Sequence, residues 1–319
     1  MIGNSTAEKM PPKPFLSLVV PVFNEAAVIA RFHDVATGVI QKLGVSYEII
    51  FVDDGSKDET WKIICRLGGM DPHLKGISFS RNFGKESALS AGLSYALGEV
   101  VIPIDVDLQH PPELIPEMIK KYHEGYDIVE GVKSRRDIDT AAKRASARLY
   151  YYFMRKLSGI DLQNMTDFKL LSRKVVDVFN SLPERRRFVR ALLYWAGFRK
   201  AQIPFEVQER VMGITKWSYV KLFALGFRAI TSFSNLPLRL VTFLGGLTLA
   251  ISAIMGIDAL YMKFTGRAVS GFTTVIILLL FIGSVLMSAL GIIGEYIASI
   301  YDEVKNRPLF IVREKFGVK

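Results

Sequence analysis

At 319 residues, half of them hydrophobic, the chain is long enough for one large domain or two ordinary ones and has ample apolar material for a core. Its net charge of +10, from 41 basic and 31 acidic residues, fits nucleic acid, anionic lipid or phosphorylated ligands as partners. The basic excess gathers in 133–155 and 185–190, segments without an RNA-binding or helix-turn-helix signature, which argues against nucleic acid.

Met1 to Pro14 is polar and proline-rich, so no signal peptide is expected. From there to about residue 130, short apolar runs alternate with amphipathic stretches. Leu16–Val20, Tyr47–Val52, Gly76–Phe79, Val100–Ile104 and Asp127–Gly131 read as buried strands, and the alternation predicts an α/β fold with a doubly wound, mostly parallel sheet. Such sheets bind ligands beyond the carboxyl ends of their strands. The polar clusters fall there: Pro21 to Glu25 after the first strand, Asp53 to Ser56 after the second, Arg81 to Lys85 after the third and Asp105 to Asp107 after the fourth. Neither the dinucleotide-binding glycine fingerprint nor a P-loop occurs. Cys65 is the only cysteine, which rules out an internal disulfide and agrees with a reducing compartment.

Residues 139–157 carry apolar side chains at helical spacing beside Lys143, Arg144, Arg148, Arg155 and Lys156, and 217–234 carry Trp217, Phe223, Phe227 and Phe233. Both are expected to lie as amphipathic helices in a membrane interface, with basic groups meeting lipid phosphates. Leu240 to Ile257 and Ala268 to Gly294 contain no charge, so spanning helices are expected near 238–262 and 270–297. The tail residues Lys305, Arg307, Arg313, Lys315 and Lys319, with the basic residues before the first span, outnumber Lys263 and Arg267 in the connecting loop. The expected arrangement is an integral protein of the cytoplasmic membrane with both termini cytoplasmic. Its parts are a catalytic domain over 1–213, an interfacial helix over 214–237, two spans over 238–300 and a tail over 301–319.

The segment from Asp105 to Glu113, Asp-Val-Asp-Leu-Gln-His-Pro-Pro-Glu, carries the sharpest chemistry. Asp105 and Asp107 at a strand end can both face a hard cation, Mg²⁺ or Mn²⁺, and Gln109 can add a neutral oxygen. An ion held this way keeps positions for a diphosphate and offsets its charge as it leaves. The competing explanation is a turn capped by aspartates ahead of a helix beginning at Pro111 or Pro112.

Taken together, Val20-Pro-Val-Phe-Asn-Glu25, Val52-Asp-Asp-Gly-Ser56, Ser80-Arg-Asn-Phe-Gly-Lys85 and Asp105 to Glu113 resemble family 2 glycosyltransferases of the GT-A, Rossmann-like fold. More narrowly, the chain is similar to the polyprenyl-phosphate glycosyltransferases, the group of dolichol-phosphate mannosyltransferase and the bactoprenol glucosyltransferases. Thr166 to Arg173 and the two spans look closest to the latter branch.

The resemblance implies that Pro21, Phe23 and Glu25 border the nucleotide, that Val52 and Asp54 hold its base and ribose, and that Arg81 and Lys85 belong to the same donor site. Phe23 stands where many relatives have Tyr. Metal binding falls to Asp105, Asp107 and Gln109, with Asp107 also counted as catalytic. Arg210 and Lys216, in Glu209 to Lys216, match a loop that grips phosphate. Lys133 stands where relatives place an arginine that meets the phosphates, with Arg135 or Arg136 able to take over. Asp167 lies where many family members carry a candidate base, although a helix N-cap would explain it as well.

A lipid phosphate is already an anion near neutral pH, so the resemblance implies an inverting, in-line displacement in which Asp167 mainly orients the acceptor or takes a residual proton. The expected partners are a nucleotide sugar, by preference UDP-glucose, a polyprenyl phosphate such as undecaprenyl phosphate, the membrane, and further copies of the chain in a homo-oligomer. Two alternatives stand beside this. A processive polysaccharide synthase of the same fold would show Gln-x-x-Arg-Trp, which Arg187 to Trp195 does not match. A non-catalytic membrane scaffold would have no need of the intact Asp105, Asp107 and Gln109.

Overall fold

The computed structural model describes residues 13–133, 166–185, 187–205, 236–266 and 271–318. These fall into two compact units, one built on a β-sheet and containing the last residues of the chain, the other built from two long helices.

The sheet unit begins with three βα repeats: β1 (Leu16–Val22), α1 (Ile29–Gln41), β2 (Tyr47–Asp53), α2 (Thr60–Met70), β3 (Leu74–Phe79) and α3 (Lys85–Tyr95). There follow β4 (Val100–Pro103), α4 (Ile115–His123), β5 (Ile128–Lys133), β6 (Lys169–Ser172), α5 (Arg173–Ser181), α6 (Val189–Trp195) and β7 (Lys200–Phe205). β1 and β2 are buried at every residue, as strands covered on both faces must be, which is why they read as apolar runs broken only by Ser17 and Glu48 before the closing Asp53. α1 buries Ile29, Phe32, Ala36 and Ile40, one stripe at helical spacing. α3 instead buries six consecutive residues from Ala88 to Leu93, four of them small, and at Gly92 a Cβ would strike the Val19 side chain, so this helix lies close against β1.

The sheet has eight strands in the order β7-β5-β6-β4-β1-β2-β3-β8, where β8 is Val312–Phe316. β4, β1, β2 and β3 run parallel, β6 is antiparallel to both neighbours, and β8 is antiparallel to β3. The chain winds from β1 outward through β2 and β3, then crosses back to place β4 on the other side of β1. That reversal opens a crevice at the carboxyl ends of β1 and β4. The five strands expected from sequence are all present, with ends displaced by up to two residues. β6, β7 and β8 are additions, and β8 falls in what reads as a tail.

The helical unit contains α7 (Leu236–Phe264) and α8 (Phe272–Val304). At 1.5 Å per residue, either is long enough to cross a bilayer's hydrocarbon layer of about 30 Å. In the apolar stretches Leu238–Phe264 and Phe281–Val304 none of the described side chains is buried. Val241 and Leu244, near the start of α7, share a groove with Ser284, Ser288 and Ile292 in the later part of α8, so the two helices form an antiparallel hairpin. The amphipathic segments expected over 139–157 and 217–234 lie outside the described residues.

Candidate active site

At the crevice, four strand ends line one cavity of about 440 Å³: Pro21, Phe23 and Glu25 after β1, Asp54 after β2, Asn82 to Ala88 leading into α3, and Asp105 to Asp107 after β4. Hydrogen bonds stitch the loops together. Asn24, at φ 54°, donates its backbone N–H to Ser56 Oγ at 2.8 Å, and its side-chain oxygen accepts from Lys57 N at 2.9 Å. Glu25 N donates to Thr60 Oγ1 at 3.0 Å. Asp53 accepts from Ser56 N at 3.0 Å and from the Ser78 hydroxyl at 2.8 Å. Gly55, at φ 71°, admits no side chain: a Cβ there would lie 2.4 Å from the Arg81 carbonyl carbon.

Asp54 turns its carboxylate onto the next loop, accepting from Phe83 N at 2.7 Å and Gly84 N at 2.9 Å. Burial pushes its pKa up and these backbone donors only partly offset it. Phe23 leaves an aromatic face 41% exposed at the cavity wall, a surface on which a base can stack. Leu108 adopts φ 58°, rare for a branched residue, and the resulting turn lets Gln109 N donate to Asp107 Oδ1 at 3.1 Å.

Beside the acidic loop lies a cluster of opposed charges. Lys85, the first residue of α3, places its ammonium 2.6 Å from Asp105 Oδ1 and 2.7 Å from Asp167 Oδ2. Arg190, in α6, grips Asp167 with two donors, Nε to Oδ1 at 2.6 Å and Nη2 to Oδ2 at 2.7 Å. Burial pushes the Asp167 carboxyl up, but the Arg190 hydrogen bonds and the Lys85 charge outweigh it and hold the group well below the usual carboxylate range. Desolvation works against both cations, and the carboxylates around them more than compensate, so Lys85 and Arg190 stay charged.

Glu86 accepts from Val189 N at 2.9 Å, and burial lifts its pKa to about 7. The unfolded chain releases this proton near 4.5 while the folded chain keeps it to about 7. Its contribution to stability is therefore complete below 4.5 and lost as pH climbs to 7, on the order of 3 kcal/mol in all. Glu86→Gln keeps the acceptor oxygen but cannot titrate, so thermal melts from pH 4.5 to 7.5 should fall less steeply in the variant than in the parent. Identical slopes would show that Glu86 ionises normally.

The expected site residues divide as follows. Pro21, Phe23, Glu25, Asp54, Lys85, Asp105 and Asp107 line the cavity together. Val52 is fully buried within β2 and Arg81 is exposed, its guanidinium stacked 4.5 Å from the Phe83 ring centre. Gln109 is half-buried, one turn beyond the lining residues. Asp167 leads into a strand, not a helix, so it caps no helix. Lys133 ends β5, while Arg135, Arg136, Arg210 and Lys216 lie outside the described residues. Arg190 and Glu86 escaped notice, because one sits in a run of arginines and the other on a helix face that carries no motif.

The model of the family "Glycosyl transferase family 2" matches residues 17–179, which contain every loop of this cavity. The chain belongs to glycosyl transferase family 2. This family 2 chain is 42% identical to the SfII prophage-derived bactoprenol glucosyl transferase of Shigella flexneri, over 94% of its own length and 97% of the relative's. It is 40% identical to the uncharacterized glycosyltransferase YkcC of Bacillus subtilis, over 95% of this chain and 94% of that one. Among solved structures, glucosyl-3-phosphoglycerate synthase from Mycobacterium tuberculosis, in complex with Mn²⁺, UDP and phosphoglyceric acid, overlaps 68% of this chain and 76% of that chain. The overlap has a TM-score of 0.47 and 21% identity, too distant a likeness to bear on the chemistry.

Proposed function

We propose that this glycosyltransferase moves a hexose, by preference glucose from UDP-glucose, onto the phosphate of a polyprenyl lipid such as undecaprenyl phosphate, with inversion at the anomeric carbon. The observation that carries the reading is the single cavity at the strand reversal, where an exposed aromatic face, two carboxylates and a lysine meet. Two relatives spanning nearly the whole chain, from Shigella flexneri and from Shigella phage SfV, are bactoprenol glucosyl transferases, which supports both the sugar and the acceptor.

Asp105 and Asp107 offer hard oxygen ligands on the cavity wall, and Gln109 stands one turn on, a donor set that fits Mg²⁺ or Mn²⁺. When bound, a divalent ion supplies charge neutralisation for the donor diphosphate. The chain's own part is to offer Phe23 to the base, to keep Asp54 and Gly55 holding the 81–84 loop in place, and to set Lys85 at the edge of the acidic loop. The two long apolar helices support an integral membrane protein, and the excess of Lys and Arg outside their connection supports cytoplasmic termini, where nucleotide sugars are available. Self-association into a homo-oligomer also belongs to this reading.

A panel of radiolabelled nucleotide sugars offered with undecaprenyl phosphate in vesicles tests it. Label from UDP-glucose should move into the organic phase, and EDTA should stop it. Label from another sugar would revise the donor; label that never reaches lipid, or that enters a polymer, would overturn the reading.

A further inference from the structure

The family resemblance makes Asp167 the candidate base, yet its surroundings suit a different task. Its side chain is 7% exposed, and both oxygens accept hydrogen bonds, Oδ1 from Arg190 and Oδ2 from Arg190 and Lys85. The cations around it are far more open: the Lys85 side chain is 43% exposed and that of Arg190 is 34% exposed. A ligand reaching this corner therefore meets an ammonium and a guanidinium before it meets the carboxylate. Glu86 adds to the arrangement by accepting from Val189 N, which ties the start of α6, and with it Arg190, to the first turn of α3. Lys85 also touches Asp105, so one ammonium borders both the acidic loop and this corner.

We propose that Lys85 and Arg190, held side by side by Asp167, form the seat for the acceptor's phosphate, and that Asp167 is a positioning residue for these two cations and not a base. This rests on the reading that the acceptor is a phosphate monoester. An acceptor hydroxyl would need its proton removed, and a carboxylate engaged on both oxygens is poorly placed for that. A phosphate needs cations instead, and a guanidinium beside an ammonium matches its geometry and charge. In the transfer, a phosphate oxygen forms the bond to the anomeric carbon as the bond from that carbon to the diphosphate oxygen breaks. The electron pair leaves with the nucleoside diphosphate, and no proton has to move.

The test uses the full-length protein in detergent, with a short-chain prenyl phosphate as acceptor and UDP with Mn²⁺ as a separate binding probe. Arg190→Ala and Asp167→Asn should each raise the acceptor KM roughly 10- to 100-fold, the loss expected for a charge-assisted contact. Affinity for UDP should stay within about twofold, and Arg190→Lys should recover part of the loss because it keeps the charge. The double variant should cost little more than the worse single one, since both act on one seat. A fall in kcat with acceptor KM unchanged in Asp167→Asn would restore the base and overturn the proposal. A parallel loss of UDP affinity would overturn it too, by reducing the cluster to a structural role. Neither outcome touches the broader reading, which fails only if the parent protein does not glycosylate prenyl phosphate.

Discussion

Asp107→Ala is expected to lower kcat roughly 10³-fold, because in the proposed role of metal ligand Asp107 would help neutralise a departing diphosphate, a contribution of several kcal/mol, and each 1.4 kcal/mol is a factor of ten. The substitution also removes the acceptor for Gln109 N, which sits in a turn already strained at Leu108. That local loss costs about 1 kcal/mol and should shift the melting temperature by only a few degrees. Asp107→Asn separates the two effects, since an amide oxygen can still accept from Gln109 N but binds a divalent ion poorly. Both variants should therefore lose turnover while only the alanine loses stability. Turnover within tenfold of the parent in either, with Mn²⁺-dependent UDP binding intact, would remove Asp107 from the metal site.

The largest effect on stability is expected at Lys169. It faces Glu130 across the β5–β6 ladder, the two charges are 2.7 Å apart, and the residues are only 1% and 4% exposed. Lys169→Met leaves a carboxylate buried without its cation, which should cost about 3–5 kcal/mol and lower the melting temperature by roughly 10 °C. Replacing both partners, with Glu130→Leu added, should restore most of the loss, because well-packed apolar side chains dispense with desolvating two charges. The consequence reaches the active site, since Asp167 stands two residues before Lys169 and depends on β6 for its placement. If the single variant melts like the parent, the pair is not desolvated as the structure describes, and an equally large loss in the double variant would mean that the cavity and not the charge dominates.

These two sites also show what a sequence discloses. Asp107 was legible because it lies just beyond β4, a strand of four apolar residues, in a motif whose spacing serves one chemistry. β1 to β5 were legible because burial keeps them mostly apolar, with only isolated polar residues such as Ser17, Glu48, Lys75 and Glu130 among them. β6 resisted because it is only four residues long and opens on a buried lysine, whose compensating glutamate lies 39 residues away in sequence. β8 resisted because Val-Arg-Glu-Lys-Phe at a sheet edge keeps its charges in solvent and reads as a tail. Arg190 could not be singled out among Arg185, Arg186 and Arg187. What distinguishes it is the carboxylate it meets, and that depends on α6 packing against α3 and α5, a long-range fact with no local trace.

β8 changes how the chain can be divided. The Phe316 ring fills the hollow left by Gly68 and Gly76, the Trp61 indole donates to Glu314 at 2.9 Å, and Phe310 stacks on Phe79 at 5.0 Å. Arg313 donates to Ser78 Oγ, whose own hydroxyl reaches Asp53 at the start of the 53–56 turn. The two long helices are thus an insertion within the globular unit, not an appendage to it. A fragment cut ahead of Leu236 would bare the flank of β3 and forfeit the last link of that relay, so an active soluble form calls for the helices to be replaced by a short linker that still delivers residues 308–318 to their groove.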